Sequence, residues 1–108
     1  MKSRVKWAPS ARRDLLDIVD YIWADKPLAA LDMRDRILAA ARNLRQNAER
    51  GTIVPEFLAE GRRDYRQILA GPYRILYRID GRSVFVVLVV DGRRDLQQVF
   101  SDWIAREE

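Results

Sequence analysis

Arginine is the residue type in this chain best placed to do chemistry, and it is concentrated in the last third. Between Arg62 and Arg94 there are eight arginines against three aspartates. Several alternate with apolar residues in Tyr73-Arg74-Ile75-Leu76-Tyr77-Arg78-Ile79. Others follow the apolar run from Val84 to Val90, in Asp91-Gly92-Arg93-Arg94-Asp95-Leu96. Guanidinium groups held on strands and just past a strand end suit a nucleic-acid backbone, or an acidic protein competing for the same face. Their other role is plain. Arg74 and Arg78 can lie on a solvated face paired with acids from the helices, and Arg94 can pair with Asp95 or Asp91. Surface pairs of that kind contribute only about 0–1 kcal/mol.

Composition narrows the chemistry further. The chain has no histidine and no cysteine. The commonest general base and metal ligand are therefore missing, as are the thiolate and the disulfide. Ser-His and Cys-His nucleophilic catalysis and zinc chemistry are set aside, and no cofactor or metal site is expected. Any catalysis would rest on arginine electrostatics and positioned carboxylates. Only three of the twenty basic residues are lysine, and the formal charge is +4. The tail from Asp95 onward reverses sign, with four acids against Arg106. Met1-Lys2-Ser3-Arg4 has no apolar run behind it, and Val84–Val90 is too short to span a bilayer. A soluble, cytoplasmic protein without a membrane partner is expected.

The elements that must position the arginines follow from periodicity. A length of 108 residues suits one domain, 1–108, burying about 65% of its unfolded surface. Arg4-Val5-Lys6-Trp7-Ala8 alternates as a short edge strand. Pro9-Ser10 opens a helix with Ser10 as its cap, and Leu15, Ile18, Val19 and Ile22 form its core stripe. Asp14, Asp17 and Asp20 are expected to face away from that stripe. Pro27 opens a second helix running to about Arg50, with Gly51 as its C-terminal cap. Ala30, Met33, Ile37, Ala41, Leu44 and Ala48 share one face. A loop from Thr52 to Gly61 follows, pinned by Phe57 and Leu58.

Three strands then make a meander, about Arg63–Leu69, Pro72–Ile79 and Ser83–Val90, with turns at Ala70-Gly71-Pro72 and Asp80-Gly81-Arg82. Tyr73, Ile75, Tyr77 and Ile79 should share one face, and Arg74, Leu76 and Arg78 the other. The Val84–Val90 strand is apolar on both faces and should be central. Its second face is expected to be covered by a final helix, Asp95–Ala105, through Leu96, Val99, Phe100 and Trp103. Trp7, Trp23 and Trp103 read as core or rim packing. The class is α+β: an N-terminal strand, an antiparallel helix hairpin, a three-stranded antiparallel meander and a short C-terminal helix.

In that order, four blocks resemble the RelE/ParE superfamily, the toxin halves of bacterial type II toxin–antitoxin modules. They are Trp7-Ala8-Pro9-Ser10-Ala11 running into Asp14–Ile22; Pro27-Leu28-Ala29-Ala30; Gly71–Ile79; and Val84–Val90 followed by Gly92-Arg93-Arg94-Asp95-Leu96. The first helix, the proline-opened second helix and the Arg-Arg-Asp-Leu ending resemble the ParE branch more. That branch implies a growth-arresting, plasmid-stabilising toxin that binds DNA gyrase and traps it on cleaved DNA. A cognate antitoxin with an acidic, disordered C-terminal segment would neutralise it, and contact with DNA would come indirectly, through that antitoxin. Arg66, Arg74, Arg78, Arg93 and Arg94 are the binding residues this reading selects.

The RelE branch implies instead a ribosome-dependent mRNA endoribonuclease. Its arginine positions match Arg66, Arg74 and Arg94, but one further basic position is Ile68 and its C-terminal tyrosine is Phe100. Phenylalanine can neither take nor give a proton. Many ParE-like chains carry histidine where this one has Asp91 or Gly92. An inactive antitoxin-binding relative is a third outcome.

Overall fold

The computed structural model describes residues 2–107. Strand β1 (Arg4–Trp7) leads into helices α1 (Pro9–Trp23) and α2 (Pro27–Asn43). Next come a two-residue strand β2 (Thr52–Ile53), one helical turn α3 (Pro55–Leu58), the meander β3 (Tyr65–Ala70), β4 (Tyr73–Asp80) and β5 (Ser83–Asp91), and helix α4 (Leu96–Glu107). The expected α+β class and element order are found. The sheet has five strands in the order β1-β5-β4-β3-β2. It is mixed, because β1 pairs parallel to β5 while the other pairs are antiparallel.

Both faces of the sheet are covered, so there are two cores. On one side α1 and α2 pack on Ile68, Ile75, Tyr77, Val84, Val86 and Val89, with Ile37, Ala41 and Leu44 supplied by α2 and the turn after it. On the other, α3 and α4 bring Phe57, Leu96 and Phe100 against Tyr65, Leu76, Val87, Leu88 and Val90. Burial on both faces explains why β5 reads as an uninterrupted apolar run. The expected faces of β4 are found, with Ile75 and Tyr77 toward the helix hairpin and Leu76 toward α4.

A β-bulge lies opposite Leu76 and Tyr77. Tyr77 pairs with Val86 and Leu76 with Leu88, which leaves Val87 as the extra residue. Val87 and Leu88 therefore both enter the second core. Past the bulge, β1 has ended and α1 supplies partners for the exposed edge of β5. Ser10 Oγ donates to the Val87 carbonyl at 2.7 Å, and Asp14 Oδ2 accepts from the Val89 N–H at 3.0 Å. Two expectations are corrected here. Ser10 is buried and is not the cap of α1, whose N-cap is Ala8. Asp14 turns toward the sheet, because an unpaired strand N–H there needs an acceptor.

The second helix also ends earlier than expected, at Asn43, and a series of turns carries the chain to Gly51. Gly51 does not cap it. Its N–H donates to Tyr77 Oη at 2.9 Å, and a Cβ there would meet that oxygen at 2.5 Å and the Gln67 carbonyl at 2.6 Å. Glycine is required by this close approach. The segment read as a loop contains β2 and α3, both too short to show a period.

Candidate functional site

Arg74 stands opposite Leu69 and Val90 and points to the face that carries α3. There Nη1 and Nη2 donate to the two carboxylate oxygens of Glu56 at 2.7 and 2.8 Å, and Nε donates to Gln67 Oε1 at 2.8 Å. The side chain is 12% exposed. The Arg74 hydrogen bonds hold the Glu56 carboxyl below its ordinary range, against the opposing effect of burial. A bidentate fork of this kind is among the stronger hydrogen-bonded pairs. It fastens α3 to the sheet and uses the donors that would otherwise face a phosphate.

Arg78 lies on the same face. Its guanidinium sits 4.7 Å from the centroid of Phe85, a ring that Lys6 Nζ also approaches at 5.5 Å. A long ion pair of 3.8 Å joins Arg78 to Asp80. Nearby, Arg62 pairs with Asp64 at 2.9 Å and covers the rings of both Tyr65 and Phe100 at 5.1 Å. Phe100 is buried among Phe57, Tyr65 and Trp103, with centroids 3.9, 5.2 and 5.5 Å away. A catalytic side chain at this position would have to be freed from that packing.

Arg66 is on the opposite face. Its Nη1 donates to the Gly51 carbonyl at 2.7 Å, beside Tyr77 Oη, which donates to the Ala48 carbonyl at 2.7 Å. Arg93 folds back on Asp91, with side-chain contacts of 3.0 and 2.9 Å and a backbone N–H bond of 2.9 Å. Those hydrogen bonds push the Asp91 carboxyl down to about 2. Arg94 makes no side-chain hydrogen bond or ion pair among the described residues. With Arg93 it lines a cleft of about 480 Å³, shared with Asp14, Asp17, Tyr21, Tyr73 and Asp91. Burial pushes the Asp14 carboxyl up to about 6; the Val89 hydrogen bond opposes this, Asp17 adds to it, and Arg106 and Arg94 oppose it. Burial likewise raises the Tyr73 hydroxyl, and Asp91 adds to that effect.

The five arginines selected from the sequence thus occupy three places. Arg74 and Arg78 share the α3/α4 face, Arg66 lies on the hairpin face, and Arg93 and Arg94 lie past the end of β5. Arg66, Arg74 and Arg94 do not converge on one point. Sequence reasoning missed Glu56, Gln67 and Asp14. The one available signal was Pro55-Glu56, a proline followed by an acid, which is how a short helix begins. Among the described residues no group of three carboxylates is arranged to hold a metal ion, and no helix is long and apolar enough to cross a membrane.

A second kind of surface lies along the hairpin. Strand β1 is at the sheet edge, and with α1 and α2 it borders a groove of about 890 Å³ lined by Val5, Trp7, Pro9, Leu15, Leu16 and Leu38. Leu16, Trp23 and Leu28 are 63, 50 and 82% exposed. The predicted stripe Leu15, Ile18, Val19 and Ile22 is only half-buried. So much uncovered apolar surface on so small a domain is characteristic of an interface.

Residues 5–96 match the family model described as the ParE toxin of the type II toxin–antitoxin system parDE. The chain is 33% identical over 92 residues to a Caulobacter vibrioides protein named Toxin RelE2, covering 85% of this chain and 98% of that one. Two solved structures share the fold. One is the chromosomal ParDE toxin–antitoxin system from P. aeruginosa, with TM-score 0.68, 22% identity, and 83% of this chain and 96% of that chain covered. The other is the RelBE2 toxin–antitoxin complex from Mycobacterium tuberculosis, with TM-score 0.54, 24% identity, and 84% and 99% covered.

Proposed function

The chain belongs to the ParE toxin family of type II toxin–antitoxin systems, and from that premise we propose that it arrests growth by binding DNA gyrase rather than by cleaving RNA. One observation carries this reading: the Glu56–Arg74–Gln67 network together with the packed Phe100 ring. Cleavage of RNA by its 2′-hydroxyl requires a base for the nucleophile, an acid for the leaving oxygen and free cations for the phosphate. Phe100 offers no proton chemistry, Arg74 is saturated by a carboxylate, and Arg66 is directed to the other face. A stoichiometric protein inhibitor needs none of these groups.

The neutralising partner is a cognate antitoxin whose disordered, acidic and amphipathic segment folds over the hairpin groove. The groove lining of Trp7, Leu15, Leu16 and Leu38 supports an apolar anchor there, the exposed Trp23 and Leu28 add apolar surface elsewhere on the hairpin, and the positive charge of the chain supports an acidic partner. Folding on binding lets such a segment cover a long groove despite the ordering cost.

The test is a brief induction of the toxin with pulse-labelling of DNA and protein synthesis in the first minutes. It is paired with a gyrase assay that counts trapped cleaved DNA. DNA synthesis stopping first, with cleaved complexes accumulating, is the expected result. Translation stopping first, with cut mRNA, would replace this reading with the ribosome-dependent nuclease.

A further inference from the structure

Not all of the free cations are where the arginine-rich sequence suggests. Of the eight arginines between Arg62 and Arg94, four face carboxylates: Arg62 with Asp64, Arg74 with Glu56, Arg78 with Asp80 and Arg93 with Asp91. A different group gathers at the far end of the molecule. The Ser3 N–H donates to the Arg45 carbonyl at 2.8 Å, and the Arg4 N–H to the Arg82 carbonyl at 2.7 Å. These bonds draw together the start of β1, the C-terminal end of α2 and the β4–β5 turn. A cleft of about 570 Å³ opens there, lined by Lys2, Ser3, Arg4, Val5, Arg42 and Arg45. All four of its cations are exposed, as is Arg82 beside them, and no carboxylate among the described residues lines it. Asp80, two residues from Arg82, pairs with Arg78, and Glu49 lines the adjoining cleft with Arg50.

We propose that this cleft is a contact site for the phosphodiester backbone of a nucleic acid. Arg42 lies in the last turn of α2, where a cation offsets the helix dipole, but that does not account for Lys2 and Arg4 on the strand. Guanidinium forks match phosphate oxygens, and several converging from three elements with no intervening acid suit a string of phosphates. An acidic peptide fits less well. Peptide segments need apolar anchors in pockets, and this cleft offers only Val5, whereas the hairpin groove is rich in them. Contact of this kind reads charge and not sequence. It would hold the protein against whichever nucleic acid its target carries, and it stands whether that target is gyrase or the ribosome.

The purified full-length toxin is titrated, by fluorescence anisotropy, against a duplex DNA of about 30 base pairs and a single-stranded RNA of matched length. Four phosphate contacts predict a log–log salt slope near −3.6 for duplex DNA, or roughly a hundredfold loss of affinity between about 50 and 200 mM salt. Arg42→Ala/Arg45→Ala should reduce the slope by about two. So should Lys2→Ala/Arg4→Ala, which spares α2 and guards against a folding defect. Arg34→Ala/Arg36→Ala, with the same change in charge, should leave the slope near wild type. Preference for DNA or for RNA identifies the source of the phosphates, and either supports the proposal. Three results would overturn it: no salt-dependent binding to either probe, equal losses in the control variant, or equally tight binding of a polyglutamate of matched charge.

Discussion

Asp14→Asn should stabilise the protein above neutral pH, and the gain should vanish in acid. Asp14 is half-buried against β5, and burial raises its carboxyl from 3.8 to about 6 despite the Val89 hydrogen bond. Between those two values the native state holds a proton that the unfolded chain has released. Stability attributable to Asp14 therefore falls as pH rises from about 4 to about 6, and is flat above. At about 1.4 kcal/mol per pH unit the whole gap is worth about 3 kcal/mol, and partial solvent access reduces this to about 1.5 kcal/mol. Asparagine removes the charge and keeps an oxygen for the Val89 N–H. The assay is the difference in urea midpoints between wild type and Asp14→Asn from pH 4 to pH 8, which cancels every other titrating group. A rise of about 1–1.5 kcal/mol across pH 4 to 7 is expected. Asp14→Leu, which orphans the Val89 N–H, should be about 1–3 kcal/mol less stable than Asp14→Asn at every pH. If Asp14→Asn is the less stable protein at pH 7.5, the charge strengthens the strand-edge bond by more than its burial costs, and the reasoning fails.

The Glu56–Arg74 fork has the opposite pH sign, because the folded-state carboxyl is depressed. Its stabilisation is present above pH 4.5 and lost as pH falls through the folded value, so acid denaturation of Glu56→Gln should begin from a lower plateau and show a shallower slope. Arg74→Met should cost about 1–3 kcal/mol in denaturant titrations and loosen α3, seen as faster amide exchange at Phe57 and Leu58. Gly51→Ala should destabilise by about 1–3 kcal/mol, measured by thermal unfolding, since its Cβ has no room beside Tyr77 Oη and the Gln67 carbonyl. Phe100→Tyr adds a hydroxyl inside a closed ring cluster, and ribosome-dependent cleavage of mRNA should not rise above wild type.

What was legible in the sequence was whatever repeats along it. The 3.6-residue period gave both long helices, and the two-residue period assigned the faces of β4 correctly from Tyr73 to Ile79. β2 and α3 are shorter than any period, so they could not be read, although α3 carries the carboxylate that holds Arg74. The parallel direction of β1 was not legible either. It depends on which edge of the sheet the hairpin returns to, and that is a property of the assembled fold.

Charge was legible as quantity but not as availability. Counting arginines located an excess between Arg62 and Arg94, yet a guanidinium becomes a functional group only if nothing within the protein claims it. Four are claimed there by carboxylates, three of them by an acid two residues away: Asp64 for Arg62, Asp80 for Arg78 and Asp91 for Arg93. Such i, i+2 pairs are visible in a sequence once one asks for them. The Arg74–Glu56 pair, eighteen residues apart, is not. The free cations at Lys2, Arg4, Arg42, Arg45 and Arg82 show the converse. They are scattered through the chain in ones and twos, and only the two backbone hydrogen bonds from Ser3 and Arg4 make them neighbours. A surface for a polyanion is thus assembled by topology from residues that no local count would select, while half of the densest arginine run is claimed by carboxylates within the protein.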